Sequence, residues 1–407
     1  MRIVLPAVCL MLLAGCGGDS PPATETTDIE PANYEEQFRL AIETAEPGDV
    51  IEVPAGNHPF TRSVTLNTDG VTIRGAGMNA SILSFQGQIA GAEGLLVNAS
   101  DFTIEDLAIE DTVGDALKVN GGSNIVIRRV RTEWTNGPDT ENGAYGIYPV
   151  QTRNTLVDGV VAIGASDAGI YVGQSRDVIV RNSRAEYNVA GIEIENTVNA
   201  DVHDNVARNN TGGILVFNMP DLPQLGHSTR VFDNEITGNN TANFGAPGSA
   251  VAGVPAGTGI IINANDKVEI FNNRIGDNKT GNVLVSSAFS AQYSAERDAA
   301  PDFDPYPEGI YIYDNAFSPS GSAPDREELE QLRVAMFGED GRLPDIIWDG
   351  IADPEKAGDT SPVCIGEGDG TFLNIDAGNA HANPSSDATP HQCSHDKLAG
   401  VELAMNG

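Results

Sequence analysis

The chain has 407 residues, with 23 Lys+Arg against 58 Asp+Glu, a formal charge of −35 and 6% aromatic residues. So acidic a balance repels polyanions, which excludes nucleic acid as a partner and argues against unassisted binding of anionic sugars. The same excess of acids gives a strongly solvated surface suited to salty water.

The chain opens on Arg2, an apolar run to Leu13 and then Leu13-Ala14-Gly15-Cys16. A short basic region, an apolar stretch shorter than the roughly 20 residues of a membrane span and small residues before a cut read as a secretory signal over residues 1–15. Leu-Ala-Gly-Cys resembles the lipobox of bacterial lipoproteins, which implies that Cys16 is lipidated; Gly17 rather than Asp after it implies the outer membrane. The expected address is therefore the cell envelope, with the membrane met only through a lipid anchor. Residues 16–33 have almost no large apolar residue and read as a flexible tether.

From Tyr34 the pattern changes. Phe38, Ala41, Ile42 and Ala45 fall at i, i+3, i+4 and i+7, which predicts a one-sided helix stopped by Pro47-Gly48. Strand signals follow at Gly48-Asp49-Val50-Ile51-Glu52-Val53-Pro54-Ala55-Gly56 and Val71-Thr72-Ile73-Arg74-Gly75-Ala76-Gly77. This order resembles the opening of pectate-lyase-like right-handed parallel β-helices, where the helix covers the first open coil. An uncovered coil end exposes core and strand edges, so such a lid has a physical purpose.

Between Asp115 and Asn218 one phrase recurs as Gly146-Ile147-Tyr148, Gly169-Ile170-Tyr171, Gly191-Ile192-Glu193 and Gly213-Ile214-Leu215, at steps of 23, 22 and 22 residues. That is the period of a solenoid. A second strand register precedes each phrase, stepping through Ile104, Ile127, Val157, Val180, His203 and Phe232, with extra residues assigned to loops at 134–145, 219–229 and 241–258. The predicted fold is all-β: a right-handed parallel β-helix over residues 34–316, with an N-terminal capping helix and an irregular C-terminal cap over 317–407.

Asn182, Asn205, Asn234, Asn273 and Asn315 are read as one stacked amide row, and Gln151, Gln174, Asn196 and Asn218 as another. Glu105, Arg128, Asp158, Arg181 and Asp204 alternate in sign and are read as a ladder of ion pairs. In the cap, residues 325–337 predict a helix with Asp325 as its N-cap. Cys364 and Cys393, an even pair in an oxidising compartment, are read as a disulfide. His391 and His395 flank Cys393 and offer metal-ligand chemistry as the alternative, although no second ligand pair sits nearby at the usual spacing.

Because alternate strand residues face outward, the stacked phrases present an outer row of Lys118, Tyr148, Tyr171, Glu193, Leu215 and Ile261, with Glu195 in the next row. Two tyrosines flanked by Lys and Glu suit a sugar, the rings meeting C–H faces and the charges meeting hydroxyls. Tyrosine is also a good strand former on any exposed sheet. The loop Trp134-Asn136-Asp139-Glu141-Tyr145 is expected to wall this surface. Substrate-binding residues are thus Lys118, Tyr148, Tyr171, Glu193, Glu195 and Trp134.

Catalytic motifs give less. Tyr145-Gly146-Ile147-Tyr148-Pro149-Val150 resembles the Tyr-Gly-Phe-Asp-Pro-His motif of mannuronan C5-epimerases, but Tyr148 and Val150 stand where that motif has its catalytic Asp and His. Polygalacturonase-like hydrolases need an Asp-Asp pair, and the chain has none. Glu193 and Glu195, roughly 6.5–7 Å apart along one strand face, form a carboxylate pair of the kind glycosidases use. A lyase reading would call on Lys118 with Arg153, with Asp139 and Glu141 holding a cation such as Ca2+; no resident cofactor or metal is otherwise indicated.

Taken whole, residues 34 to about 400 resemble bacterial parallel β-helix domain-containing lipoproteins, on the phrase Asp167-Ala168-Gly169-Ile170-Tyr171-Val172-Gly173-Gln174-Ser175, the Asp-Asn repeats and the acidic, Cys-containing tail. That resemblance implies an extracytoplasmic partner, a diheme c-type cytochrome. Two functions stand open: a lipoprotein that binds carbohydrate or an envelope protein through the outer row, and a polysaccharide lyase or glycoside hydrolase acting at the same face.

Overall fold

The computed structural model describes residues 3–4, 33–291, 299–356 and 361–404. The expected signal segment, Cys16 and the tether lie outside the described residues, apart from Ile3–Val4 and Asn33.

The coil is a parallel β-helix with three strand ladders. One forms an 11-stranded sheet from Arg62–Leu66 through Tyr145–Val150, Ala168–Gly173, Ala190–Glu195 and Gly212–Phe217 to Phe372–Asn374. The other two share a 20-stranded sheet. In the third and fourth coils a single strand, Phe102–Glu110 and then Ser123–Glu133, runs through both of them. In later coils the two separate at a left-handed residue, such as Asn182 (φ 52°), Asp204 (φ 54°) or Asp233 (φ 54°). Asn and Asp tolerate that conformation better than other side chains with a Cβ, which accounts for the Asp-Asn dipeptides.

The repeated Ile and Val fill the interior. Ile147, Ile170, Ile192, Ile214 and Ile260 stack with full burial on one side of the coil, and Val157, Val180, Val202 and Val231 on another. The N-terminal lid is helix α1 (Tyr34–Glu43), capped by Asn33, whose side chain accepts from Glu36 N–H. Phe38 and Ile42 close the first coil, and the Phe38 ring meets Phe60 edge-on at 5.5 Å.

The amide rows are structural, with one change of register. Val180 pairs with Val202, not His203, so the row is Asn205, Asn234, Asn273 and Asn315, with Ser183 below it and Asn182 at the neighbouring turn position. The ion-pair ladder shifts by the same residue: Arg74, Glu105, Arg128, Asp158 and Arg181 are followed by His203 rather than Asp204. Above His203 the row becomes aromatic, with Phe232, Phe271 and Tyr313 stacked at 4.7–5.0 Å between centroids. A further buried row, Asn188, Asn210, Asn239 and Asn278, was not anticipated.

The coil does not stop at residue 316. Ile346–Trp348, Val363–Ile365 and Phe372–Asn374 continue the ladders, and helix α2 (Glu327–Phe337) is inserted between Ala316–Phe317 and the first of them. The N-cap of α2 is Arg326; Asp325 instead accepts from Ala256 N–H in a preceding loop. The Cys364–Cys393 disulfide is formed, with Cα atoms 4.9 Å apart. His391 is buried between Trp348 and Phe372 and meets Ser361 Oγ and the Val363 carbonyl, so Cys393 and His391 serve the cap's packing.

After Cys393 the tail turns back along the outside of the coil. Lys397 lies 4.2 Å over the Tyr313 ring, Leu398 N–H donates to Glu269, Val401 N–H donates to Asp201, and Asn154 donates to the Ala404 carbonyl. This strap crosses the coils along the solenoid axis and buries Asp201 and Glu269, leaving 4% and 3% of each exposed.

Candidate functional site

The outer row of the 11-stranded sheet becomes a site where two insertions fold back over it. The first, after Phe217, is fastened by the amide row. Asn196 accepts from Met219 N–H and donates to the Gln224 carbonyl, while Asn218 exchanges hydrogen bonds with Gly226. The second holds the short 3-10 helix Ala250–Gly253, with Asn243 donating to the carbonyls of Val251 and Val254 and Arg326 bonding to the Gly253 carbonyl.

These loops bury what the strand pattern marked as an outward face. Leu215 and Ile261 are covered by Val251, Val254 and Met219 in a second apolar cluster outside the coil. An uncovered pocket of about 250 Å³ remains on the N-terminal side of the cluster. Tyr145, Tyr148, Tyr171, Asp167, Glu193 and Glu195 line it, and Met219, Leu222 and Val251 form its apolar wall.

The three tyrosines form one group. Tyr145 lies 4.3 Å from Tyr148 and 4.8 Å from Tyr171 between centroids, and Tyr148 meets Tyr171 edge-on at 4.9 Å. Tyr145 has room because its neighbour one coil on is Ala168. Tyr171 is nearly fully buried and lies along the sheet over Gly173, its hydroxyl donating to Glu195 Oε1 at 2.6 Å. Burial and the surrounding carboxylates hold all three phenols above their ordinary range.

Glu193 is 1% exposed, and its Oε2 has no hydrogen-bond partner among the described residues. Desolvation first, then the charges of Glu195 and Asp167, pushes its carboxyl well above the usual carboxylate range. Away from water and beside other carboxylates the charged form is disfavoured, so this carboxyl holds its proton to higher pH than an exposed one does. At the rim, Lys118 pairs with Asp115 at 3.6 Å and sits 4.7 Å over the Tyr148 ring. Burial pushes Asp115 up to about 6.

The structure thus brings together Lys118, Tyr148, Tyr171, Glu193 and Glu195. It does not bring Trp134. That side chain is buried in the coil interior, its indole N–H donating to the Thr112 carbonyl, and it packs under Gly143 and Gly164. Of the loop expected to wall the site, Tyr145 lines the pocket. Arg153 begins a strand of the other sheet, away from Lys118. Asp139 accepts from Glu141 N–H within its own exposed loop. Among the described residues, three carboxylates approach within ligand distance at Asp266, Asp304 and Glu308, where Lys356 pairs with two of them.

Asp167 and the Met219–Leu222 and Ser249–Val251 walls escaped the sequence reading. Two apolar residues, Leu215 and Ile261, in a row otherwise polar or aromatic were the available signal that something covers it.

Comparison with known proteins places this geometry on a familiar scaffold. Residues 69–222 match the family described as right handed beta helix region. No curated protein matches the chain by sequence. Among solved structures, the A-module of mannuronan C-5 epimerase AlgE6 from Azotobacter vinelandii superposes with a TM-score of 0.51 at 17% identity, over 82% of this chain and 89% of that one. The catalytic unit of an α-1,3-glucanase from Streptomyces thermodiastaticus gives 0.46 at 16%, over 78% and 47%. Pectate lyase Pel9A gives 0.42 at 13%, over 75% and 81%. The chain is a right-handed parallel β-helix, a fold that carbohydrate-active enzymes and binders share.

Proposed function

We propose that the protein is a carbohydrate-binding β-helix of the cell envelope, anchored through Cys16, and that the tyrosine-carboxyl pocket holds a sugar. One observation carries this reading. Three tyrosine rings within 4.3–4.9 Å of one another meet a buried carboxyl whose Oε2 lacks a partner among the described residues. Sugars present C–H faces to aromatic rings and hydroxyls to such polar atoms. Ligand pockets for larger molecules run to about 300–1,000 Å³, so a volume of 250 Å³ suits one sugar unit better than a threaded polymer.

The pairing of Glu193, whose carboxyl is raised, with Glu195 in one pocket favours a second reading, glycoside hydrolysis, in which an acid and a carboxylate with separated affinities for the proton divide the work.

Titration calorimetry against a panel of neutral, anionic and cationic oligosaccharides tests the first reading, and Tyr145→Ala with Tyr148→Ala should abolish any binding found. Unchanged affinity in both variants would refute the pocket assignment. New reducing ends, or the ultraviolet absorbance of an unsaturated product, would replace binding with catalysis.

A further inference from the structure

The ionisable groups that line the pocket are all acids. Glu193, Glu195 and Asp167 stand around it with Tyr145, Tyr148 and Tyr171, and the described lining residues include no Lys or Arg. An anionic sugar would add a further negative charge to this set. A neutral sugar would leave Glu193 with the choice it has in the empty pocket, to stay protonated or to be buried as an unpaired charge.

A cation resolves both conflicts. Aromatic rings attract ammonium groups through the negative face of the π-system, and cages of rings with a carboxylate recognise such groups. This chain already uses one of the three rings in that way, with Lys118 Nζ 4.7 Å from the Tyr148 centroid. Lys118 is held by Asp115 and does not line the pocket, so its ammonium leaves the interior unfilled.

We propose that the pocket receives a protonated amine, carried by an unacetylated amino sugar, with Glu193 Oε2 as its buried counter-charge and the tyrosine rings as its walls. The amino-sugar source rests on the carbohydrate reading above; the amine does not. Burial and the neighbouring carboxylates raise the Glu193 carboxyl in the empty pocket and a cation beside Oε2 lowers it, so entry of the cation draws its proton off. The groups facing Glu193 are Glu195, Asp167 and the phenols of Tyr145 and Tyr171, with Asp115 and Lys118 at the rim beside Tyr148. Binding therefore releases a proton, and the affinity for a permanently charged cation rises with pH.

The test is calorimetry on the purified chain with four probes: glucosamine oligomers, N-acetylglucosamine oligomers, galacturonate oligomers and tetramethylammonium. Glucosamine oligomers should bind about tenfold or more tightly than their acetylated counterparts, and galacturonate should not bind. With tetramethylammonium, heats in two buffers of different ionisation enthalpy should reveal proton release. Glu193→Gln, checked for a cooperative melt, should lose that release and about tenfold or more in affinity. Equal binding of acetylated and free amino sugars would overturn the cation and leave the carbohydrate reading standing. Binding of tetramethylammonium with no glycan bound would keep the cage and overturn the sugar source. Binding of neither cation, or binding without proton release, would overturn the proposal.

Discussion

Tyr171 reaches Glu195 only because residue 173 has no side chain. The phenol donates to Glu195 Oε1 at 2.6 Å, and a Cβ built on Gly173 would stand 2.1 Å from the Tyr171 hydroxyl oxygen. Gly173 therefore positions the ring, and through the ring one carboxylate. Gly173→Ala should keep the coil, since the strand is extended there, at a destabilisation of about 1–3 kcal/mol from overpacking. Ligand affinity should fall about tenfold or more, read by calorimetry beside a thermal melt.

Glu193 gives a pH signature that needs no ligand. Its carboxyl is raised above the unfolded value near 4.5, so between that value and its folded one the native state binds more protons than the unfolded chain. The stability this group contributes is present below the unfolded value and is lost as pH rises towards the folded one. Across a measured range of about pH 5 to pH 8, wild type should lose stability relative to Glu193→Gln as pH rises towards the folded value, by at most about 1.4 kcal/mol for each pH unit. Chemical denaturation of both proteins at the two ends of the range checks it; a constant difference would show that Glu193 titrates normally.

Trp134 should behave as a core residue. Trp134→Ala removes a buried ring and strands the Thr112 carbonyl it satisfied, for a loss of about 3–5 kcal/mol. Whatever protein remains folded should bind ligand as wild type does. A selective loss of binding without a loss of stability would return Trp134 to the site.

The register of the amide row can be tested with two asparagines. The Asn234 amide group donates to the Val202 carbonyl and Asn273, and its oxygen accepts from both the backbone and the side chain of Asn205. Asn234→Ala should destabilise by about 3 kcal/mol or more, because several buried groups lose their partners together. Asn182 sits one position off the row, exposed, at φ 52°. Asn182→Gly, which tolerates that backbone, should stay within about 0.5 kcal/mol. Equal effects would mean that the two share a row.

The coil was legible because its interior repeats: every Gly-Ile phrase faces the same environment, so Ile147 to Ile214 mark the ladder without further help. The errors arose where the sequence carries no such constraint. Counting 23 residues from Val180 lands on His203, but that coil is one residue shorter, and the aromatic stack from His203 to Tyr313 hid the slip by placing plausible residues at each count. The outward placement of Lys118, Tyr148, Tyr171, Glu193 and Glu195 was legible because it follows from strand alternation. Their pocket was not, because its roof consists of insertions whose path depends on amides such as Asn196 and Asn243 finding particular carbonyls. Trp134 was misplaced for a related reason: a large residue at the edge of an insertion reads as exposed until Gly143 and Gly164 are seen to vacate the space it fills.

The C-terminal strap alters how the solenoid can come apart. A coil whose turns touch only their neighbours can shed them singly from an open end. Here Leu398, Val401 and Ala404 are bonded to Glu269, Asp201 and Asn154, far below the final turn. Fraying at the C-terminal end must therefore also release contacts in the middle of the stack. The final turns and the middle are joined into one cooperative unit, and the strap, which follows the coils it spans in the chain, can seat only after they have stacked.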